Sequence, residues 1–198
     1  PNSGTINMSG AAALAKAIKE EGITTPICFV GSHVSALPFE VLKNESCVDF
    51  VLCNEGVYAL RNLLKTNIYD NEALAQLKGI GYRKNGRPFL TTPEQIVSQE
   101  RMDIDLPGYA WDLLPYDKKP LDLYRAHFWH AEYDHEKRSP FAAIYTSLGC
   151  TFKCDFCMIN ILNRNDQSPI GVAGNYSKMR FWSPEFIIKE FDKLVDMG

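Results

Sequence analysis

The chain has no continuous apolar run of the roughly 18 residues that a membrane-spanning helix requires. It has no excess of positive charge either: 21 Lys and Arg stand against 24 Asp and Glu, a formal net charge of -3. A general basic field that would hold a nucleic acid or an anionic membrane is therefore excluded. The opening residues PNSGTINMSG lack the basic, apolar and small-residue segments of a signal peptide. These absences together point to a cytoplasmic protein with no nucleic-acid partner and no membrane span. In that compartment the 6 cysteines are not expected to form a disulfide framework, and clustered ones are read as metal ligands or catalytic groups. The chain opens on Pro1 and stops at KLVDMG, where a helix has just ended, so both ends are expected to be cut from something longer.

What is present is ordinary globular composition, 45% hydrophobic and 23% charged, over 198 residues, enough for one or two domains with a sizeable core. From residue 1 to 78 helical and strand-like patterns alternate. SGAAALAKAIKEEG carries a helical apolar pattern that stops at Gly22. PICFVG is a short apolar run closed by Gly31, LPFEVLKN a helix beginning near Pro38, VDFVLC a second buried run and GVYALRNLLK the helix after it. Short apolar runs fit strands buried on both faces, and the alternation predicts an open parallel α/β sheet with ligands at the carboxyl ends of its strands. The candidate ligand-facing loops are GSHVSALP and NEGVYA.

Residues 79 to 140 read as a hairpin followed by a connector. LKGIGYRKNGRPFLTTP holds two extended runs around Asn85 and Gly86, which supply hairpin turn chemistry. From Glu94 to Pro140 no period is sustained. His127, His130 and His135 lie there, and loop histidines without ligand spacing read as solvated side chains rather than metal ligands.

Residues 141 to 198 begin with a predicted strand, Phe141 to Thr146, running straight into YTSLGCTFKCDFCMIN. After a polar loop, SPEFIIKEFDKLVDMG predicts a helix with Ser183 as N-cap and Pro184 at its first position. Ile187, Ile188, Phe191, Leu194 and Val195 form its apolar stripe. Strand, long loop and helix are the opening unit of a barrel or doubly wound sheet, whose chemistry sits on the loop at the carboxyl end of the strand. That loop carries Cys150, Cys154 and Cys157. A closed structural zinc site takes four ligands, commonly as two pairs, and no second pair follows. Three thiolates on a four-iron cluster leave one iron open to hold something else. Cys28, Cys47 and Cys53 lie in or beside apolar segments and read as core residues.

The C-TFK-C-DF-C spacing, with Phe156 before the third cysteine, resembles the C-x3-C-x-aromatic-C signature of the radical S-adenosylmethionine (radical SAM) superfamily. The resemblance implies that Cys150, Cys154 and Cys157 bind a 4Fe-4S cluster whose open iron chelates SAM, with Phe156 beside it. Reductive cleavage of SAM then yields a deoxyadenosyl radical, with electrons from a donor such as flavodoxin or ferredoxin. Upstream, GSH and NEGV stand where the cobalamin-binding domain fused to many such enzymes has GG-x-H and GEGE turns. That implies a flavodoxin-like, partial Rossmann-like domain in which Gly31, Ser32, His33, Glu55 and Gly56 line a cobalamin site. LPGYAWDLL and the segment around Arg180 and Ser183 are similar to that class's connector and post-cluster segment.

The chain departs from the class in having no D-x-H-x-x-G, no first strand of the binding domain, and not most of the (β/α) partial barrel. The reading is a cobalamin-dependent radical SAM enzyme, with C-methylation of a small-molecule or lipid-like substrate as its leading outcome. A ring cyclase or ring-contracting enzyme stays open. So does a methylthiotransferase-type enzyme using Cys28, Cys47 and Cys53 for a second cluster, and so does a non-catalytic cluster- or cobalamin-binding module.

Overall fold

A computed structural model describes residues 7–114, 142–152, 154, 157–159 and 179–197. It divides into two compact units, one of residues 1–98 with 149–179 and the other of 99–148 with 180–198. Among the described residues no helix is long and apolar enough to cross a membrane.

The first unit is a four-stranded sheet with helices on both faces. Helix α1 (Met8–Glu20) is built on an alanine-rich segment that loses little side-chain entropy on folding. It ends as its composition predicts: Gly22 takes φ +78, its N–H bonds the carbonyl of Lys19, and the Ile23 N–H reaches back to Ile18. That pair of bonds is a Schellman stop. Strands β1 (Cys28–Val30) and β2 (Phe50–Leu52) run parallel with Cys28 opposite Phe50. Helices α2 (Ser32–Ala36) and α3 (Pro38–Asn44) connect them. Helix α4 (Val57–Leu64) leaves β2, and α5 (Asn71–Gln76) follows, capped by the Asp70 carboxylate.

Strands β3 (Ile80–Lys84) and β4 (Arg87–Leu90) form the predicted hairpin. Asn85 and Gly86 both lie at positive φ, as a two-residue primed turn demands. The hairpin also pairs antiparallel with β2, giving the order β1-β2-β3-β4. The sheet is thus mixed rather than open and parallel as expected. The alternation of helix and strand stops after α4, and a strand that follows a short α5 returns beside β2 from the other direction.

Packing follows the pleat. Val51 points to the side where Phe29, Val34, Val41, Leu42, Met8 and Ala15 form one core, so α1, α2 and α3 cover that face. Phe50 and Leu52 point to the other, against Ala59, Leu63, Leu74, Ile80 and Tyr82, beneath α4 and α5. Gly81 sits where three elements meet: a Cβ there would press on Leu90, Val51 and Leu42.

In the second unit β5 (Ser147–Leu148) pairs antiparallel with β6 (Arg180–Phe181). The strand expected over Phe141 to Thr146 is therefore displaced toward the cysteines. Residues 142–145 are irregular, because Tyr145 spends its N–H on a side-chain hydroxyl rather than a ladder partner. The side-chain amide of Gln99 takes the place of a neighbouring strand for β6, accepting from the Phe181 N–H at 2.8 Å and donating to its carbonyl at 2.9 Å. Short helix α6 (Met102–Asp105) supplies Asp103, which accepts the Ser183 N–H, and Ser183 in turn caps helix α7 (Pro184–Asp196) at the Phe186 N–H. The apolar stripe read for α7 is only partly inward. Ile187 and Leu194 are half-buried, whereas Ile188, Phe191 and Val195 are exposed and the buried residue of the helix is Glu190.

Gly81→Ala overpacks a site bounded by two strands and a helix and is expected to cost about 1–3 kcal/mol. Urea unfolding checks it: the midpoint falls while the slope is unchanged.

Candidate functional site

Two places carry the residues singled out by sequence, and each is taken by itself. The first is the carboxyl edge of β1 and β2. Gly31 ends β1 at φ 127 and ψ -171, a backbone region reserved for glycine, and is the N-terminal boundary of α2. The loop expected over GSHVSALP is therefore largely helical: the Ser35 N–H bonds the carbonyl of Gly31 and the Leu37 N–H that of His33. Ser32, Val34 and Ser35 are buried by this turn and His33 is half-buried. The Ser35 hydroxyl accepts the N–H of Asn54 at 3.0 Å and so ties the two loops together.

Asn54 is held at φ 62, and Gly56 at φ 76 starts α4 so close to β1 that a Cβ would stand 2.9 Å from Val30. Glu55 Oε2 accepts the Val97 N–H at 2.7 Å. The Asn62 side-chain amide donates to the Glu94 carboxylate at 3.3 Å, and the amide of Asn54 donates to the Glu94 carbonyl at 3.5 Å. The segment from Glu94 to Val97 is thereby strapped over the β2 loop. Of the five residues named for this edge, Gly56 is engaged in close packing and Glu55 in holding Val97, while Gly31 and half-buried His33 retain a place at the strand end where a ligand would lie. Ser35, Asn54, Glu94 and Val97 were not legible in advance, because their roles arise from contacts across 19 to 42 residues of chain.

The second place is the cysteine loop. Gly149 turns the chain at φ 91 directly after β5. The Cys150 sulfur accepts the Phe152 N–H at 3.4 Å, and the Cys157 N–H closes a turn on the carbonyl of Cys154 at 3.0 Å. Cys154 is exposed and Cys150 and Cys157 are half-buried, and none of the three is in a disulfide. Phe156 lies outside the described residues, as do His127, His130 and His135. Among the described residues no three ligating side chains stand together as a formed metal site. The donor set is one that an iron–sulfur cluster would take: three free thiols on one loop, of which the Cys150 sulfur already accepts a backbone N–H.

The other cysteines differ in kind. Burial pushes the Cys53 thiol up to about 12, with nearby Cys28 adding to the effect. Burial likewise pushes Cys28 up to about 12. Cys53 belongs to the core under α1 to α3, which Cys47 also packs against, whereas Cys28 packs against the core on the opposite face of the sheet. Three sulfurs divided between two faces do not present themselves to one cluster, so nothing in their placement favours the second-cluster arrangement.

No family model matches the chain. The chain is similar to an uncharacterized methyltransferase of Pyrococcus horikoshii, with 28% identity over 192 residues, covering 97% of this chain. It spans 38% of that relative's length.

Iodoacetamide labelling of the folded, metal-free protein at pH 9 is expected to modify Cys154 while sparing Cys28 and Cys53. With thiols at about 12, only about one molecule in a thousand carries either core thiolate at that pH, and reactivity climbs as pH rises toward that value. Peptide mass spectrometry reads the pattern, and early labelling of Cys53 would contradict the burial.

Proposed function

We propose that the chain is part of a cobalamin-dependent radical SAM enzyme that modifies an unidentified substrate by radical chemistry, with carbon methylation as the leading outcome. The observation that carries this reading is the separation of the cysteines into two classes. Cys28, Cys47 and Cys53 are spent on packing, while Cys150, Cys154 and Cys157 stand on one loop at a strand end, at a spacing that suits three ligands of a 4Fe-4S cluster. When bound, such a cluster supplies the electron that cleaves S-adenosylmethionine, and flavodoxin or ferredoxin is the class of protein that would deliver it.

This chain's own residues have definable tasks in that reading. The three thiols would hold three irons of the cluster, and the backbone N–H of Phe152 already bonds the Cys150 sulfur. Phe156 is the aromatic of the motif, one place before the third ligand. At the carboxyl edge of β1 and β2, Gly31 allows close backbone approach and His33 offers an imidazole toward a corrin or its nucleotide tail. Glu55 holds Val97 and shapes that edge rather than contacting the ligand through the oxygen already engaged. The similarity to an uncharacterized methyltransferase of Pyrococcus horikoshii supports methyl transfer over ring formation.

Anaerobic reconstitution with iron and sulfide tests the reading. Four irons per chain are expected, with an electron paramagnetic resonance signal of the reduced protein that changes on addition of SAM and disappears in Cys154→Ala. Zinc in place of iron, or a cluster indifferent to both SAM and Cys154, would favour a structural metal-binding module instead.

A further inference from the structure

Burying a carboxylate is costly unless it is paired and hydrogen-bonded, and Glu190, 1% exposed, meets that demand from three directions. Its Oε2 accepts the backbone N–H of Tyr109 at 3.3 Å and the indole N–H of Trp111 at 3.1 Å, while Oε1 takes the Lys193 ammonium from one turn along α7. Burial by itself would raise the carboxyl, but the bonds from Lys193, Tyr109 and Trp111 outweigh it and hold the group below its ordinary value. Gly108 makes the room: it lies at φ +93, and a Cβ there would stand 2.5 Å from Oε1. The run from Gly108 to Trp111 is thus wrapped around one oxygen pair.

The wrapping fixes Tyr109. Its ring stacks on Trp111 with centroids 4.7 Å apart, and its hydroxyl accepts the N–H of Tyr145 at 2.8 Å. Tyr145 is itself 68% exposed, so its backbone has little packing to hold it. It stands on the segment entering β5, whose last residue, Leu148, precedes Cys150 by two positions.

We infer that Glu190 is a positioning residue for the cysteine loop. It fixes Tyr109 and, through the Tyr109 hydroxyl, sets the path by which the chain enters β5 on its way to Cys150. The inference rests on reading residues 150–157 as the cofactor loop. Glu190 touches none of the cysteines and is not a catalytic residue.

Amide hydrogen exchange and iron retention test it in two stages. In metal-free Tyr109→Phe, which keeps the ring stack and loses one hydroxyl, exchange at the Tyr145 amide is expected to quicken on the order of tenfold. That is the factor of one ordinary hydrogen bond, and the melting temperature should hold. Glu190→Ala should show the same effect and also expose the Tyr109 amide. Glu190→Gln keeps an oxygen that accepts from Tyr109 and Trp111, and should restore most of the protection. After reconstitution, Tyr109→Phe and Glu190→Ala should surrender iron to a chelator several-fold faster than the wild-type chain, with Glu190→Gln close to wild type.

Unchanged Tyr145 exchange in Tyr109→Phe overturns the inference, as does unaltered iron retention when that amide has loosened. If Glu190→Ala does not fold, Tyr109→Phe alone decides. A wild-type chain that takes up no iron overturns the cofactor reading, and the claim about the loop falls with it. Failure of the inference alone appears as the absence of a difference between the variants and the wild-type chain when that chain does hold iron.

Discussion

Burial of β2 on both faces is the constraint from which the first unit follows. Phe50, Val51 and Leu52 are all buried, and pleating sends Val51 to one side and its two neighbours to the other. A strand of this kind must have helices above and below it and a hydrogen-bonded neighbour along each edge. β1 supplies one edge and β3 the other. Each such side chain is worth about 1.5–3 kcal/mol when withdrawn from water, against about 1 kcal/mol or less for an exposed pair such as Lys16 and Glu20. Packing, not surface charge, therefore sets the geometry of the strand ends. The parallel pairing brings the loops after β1 and β2 side by side, and only then can Ser35 bond Asn54 and Gly56 lie against Val30.

The second unit is organised on a different principle. Its helix α7 turns Glu190 inward and leaves Ile188, Phe191 and Val195 outside, and side chains bonded to backbone groups do much of the joining: Gln99 to Phe181, Asp103 to Ser183, Trp182 to Leu106 and Tyr109 to Tyr145. One satisfied carboxylate, paired with Lys193 and bonded to Tyr109 and Trp111, replaces part of an apolar interior. Removing such a group leaves its partners buried and unpaired, which is why polar interiors of this kind tolerate few substitutions.

The functional reading depends on how differently the same side chain behaves in two settings. A cysteine inside an apolar core is a small hydrophobe whose thiol ionises only near pH 12, as for Cys28 and Cys53. A cysteine on a polar loop, as for Cys154, stays open to solvent and reagents. The similarity to the Pyrococcus horikoshii protein runs through almost the whole chain and so includes residues of both units.

Local pattern determined much. Gly22, Pro38, the Asn85-Gly86 turn and Ser183 each act through their own backbone conformation or a bond within a few residues, so their effect is legible wherever they occur. The short apolar runs at 28–30 and 50–52 likewise announced strands, β2 buried on both faces and β1 fully buried only at Phe29, and the cysteine spacing marked the loop worth watching. What sequence could not supply was everything decided by chain that is far away. The β3–β4 hairpin was visible, but its antiparallel return beside β2 was not, because pairing direction depends on where a connection leads. The helical period of α7 was visible, but not which face turns inward, because a buried Glu190 is tolerable only once Tyr109, Trp111 and Lys193 have arrived to bond it. Local propensity is a property of neighbours along the chain; the roles of Glu190, Glu55 and Asn54 are properties of neighbours in space, and those exist only after folding.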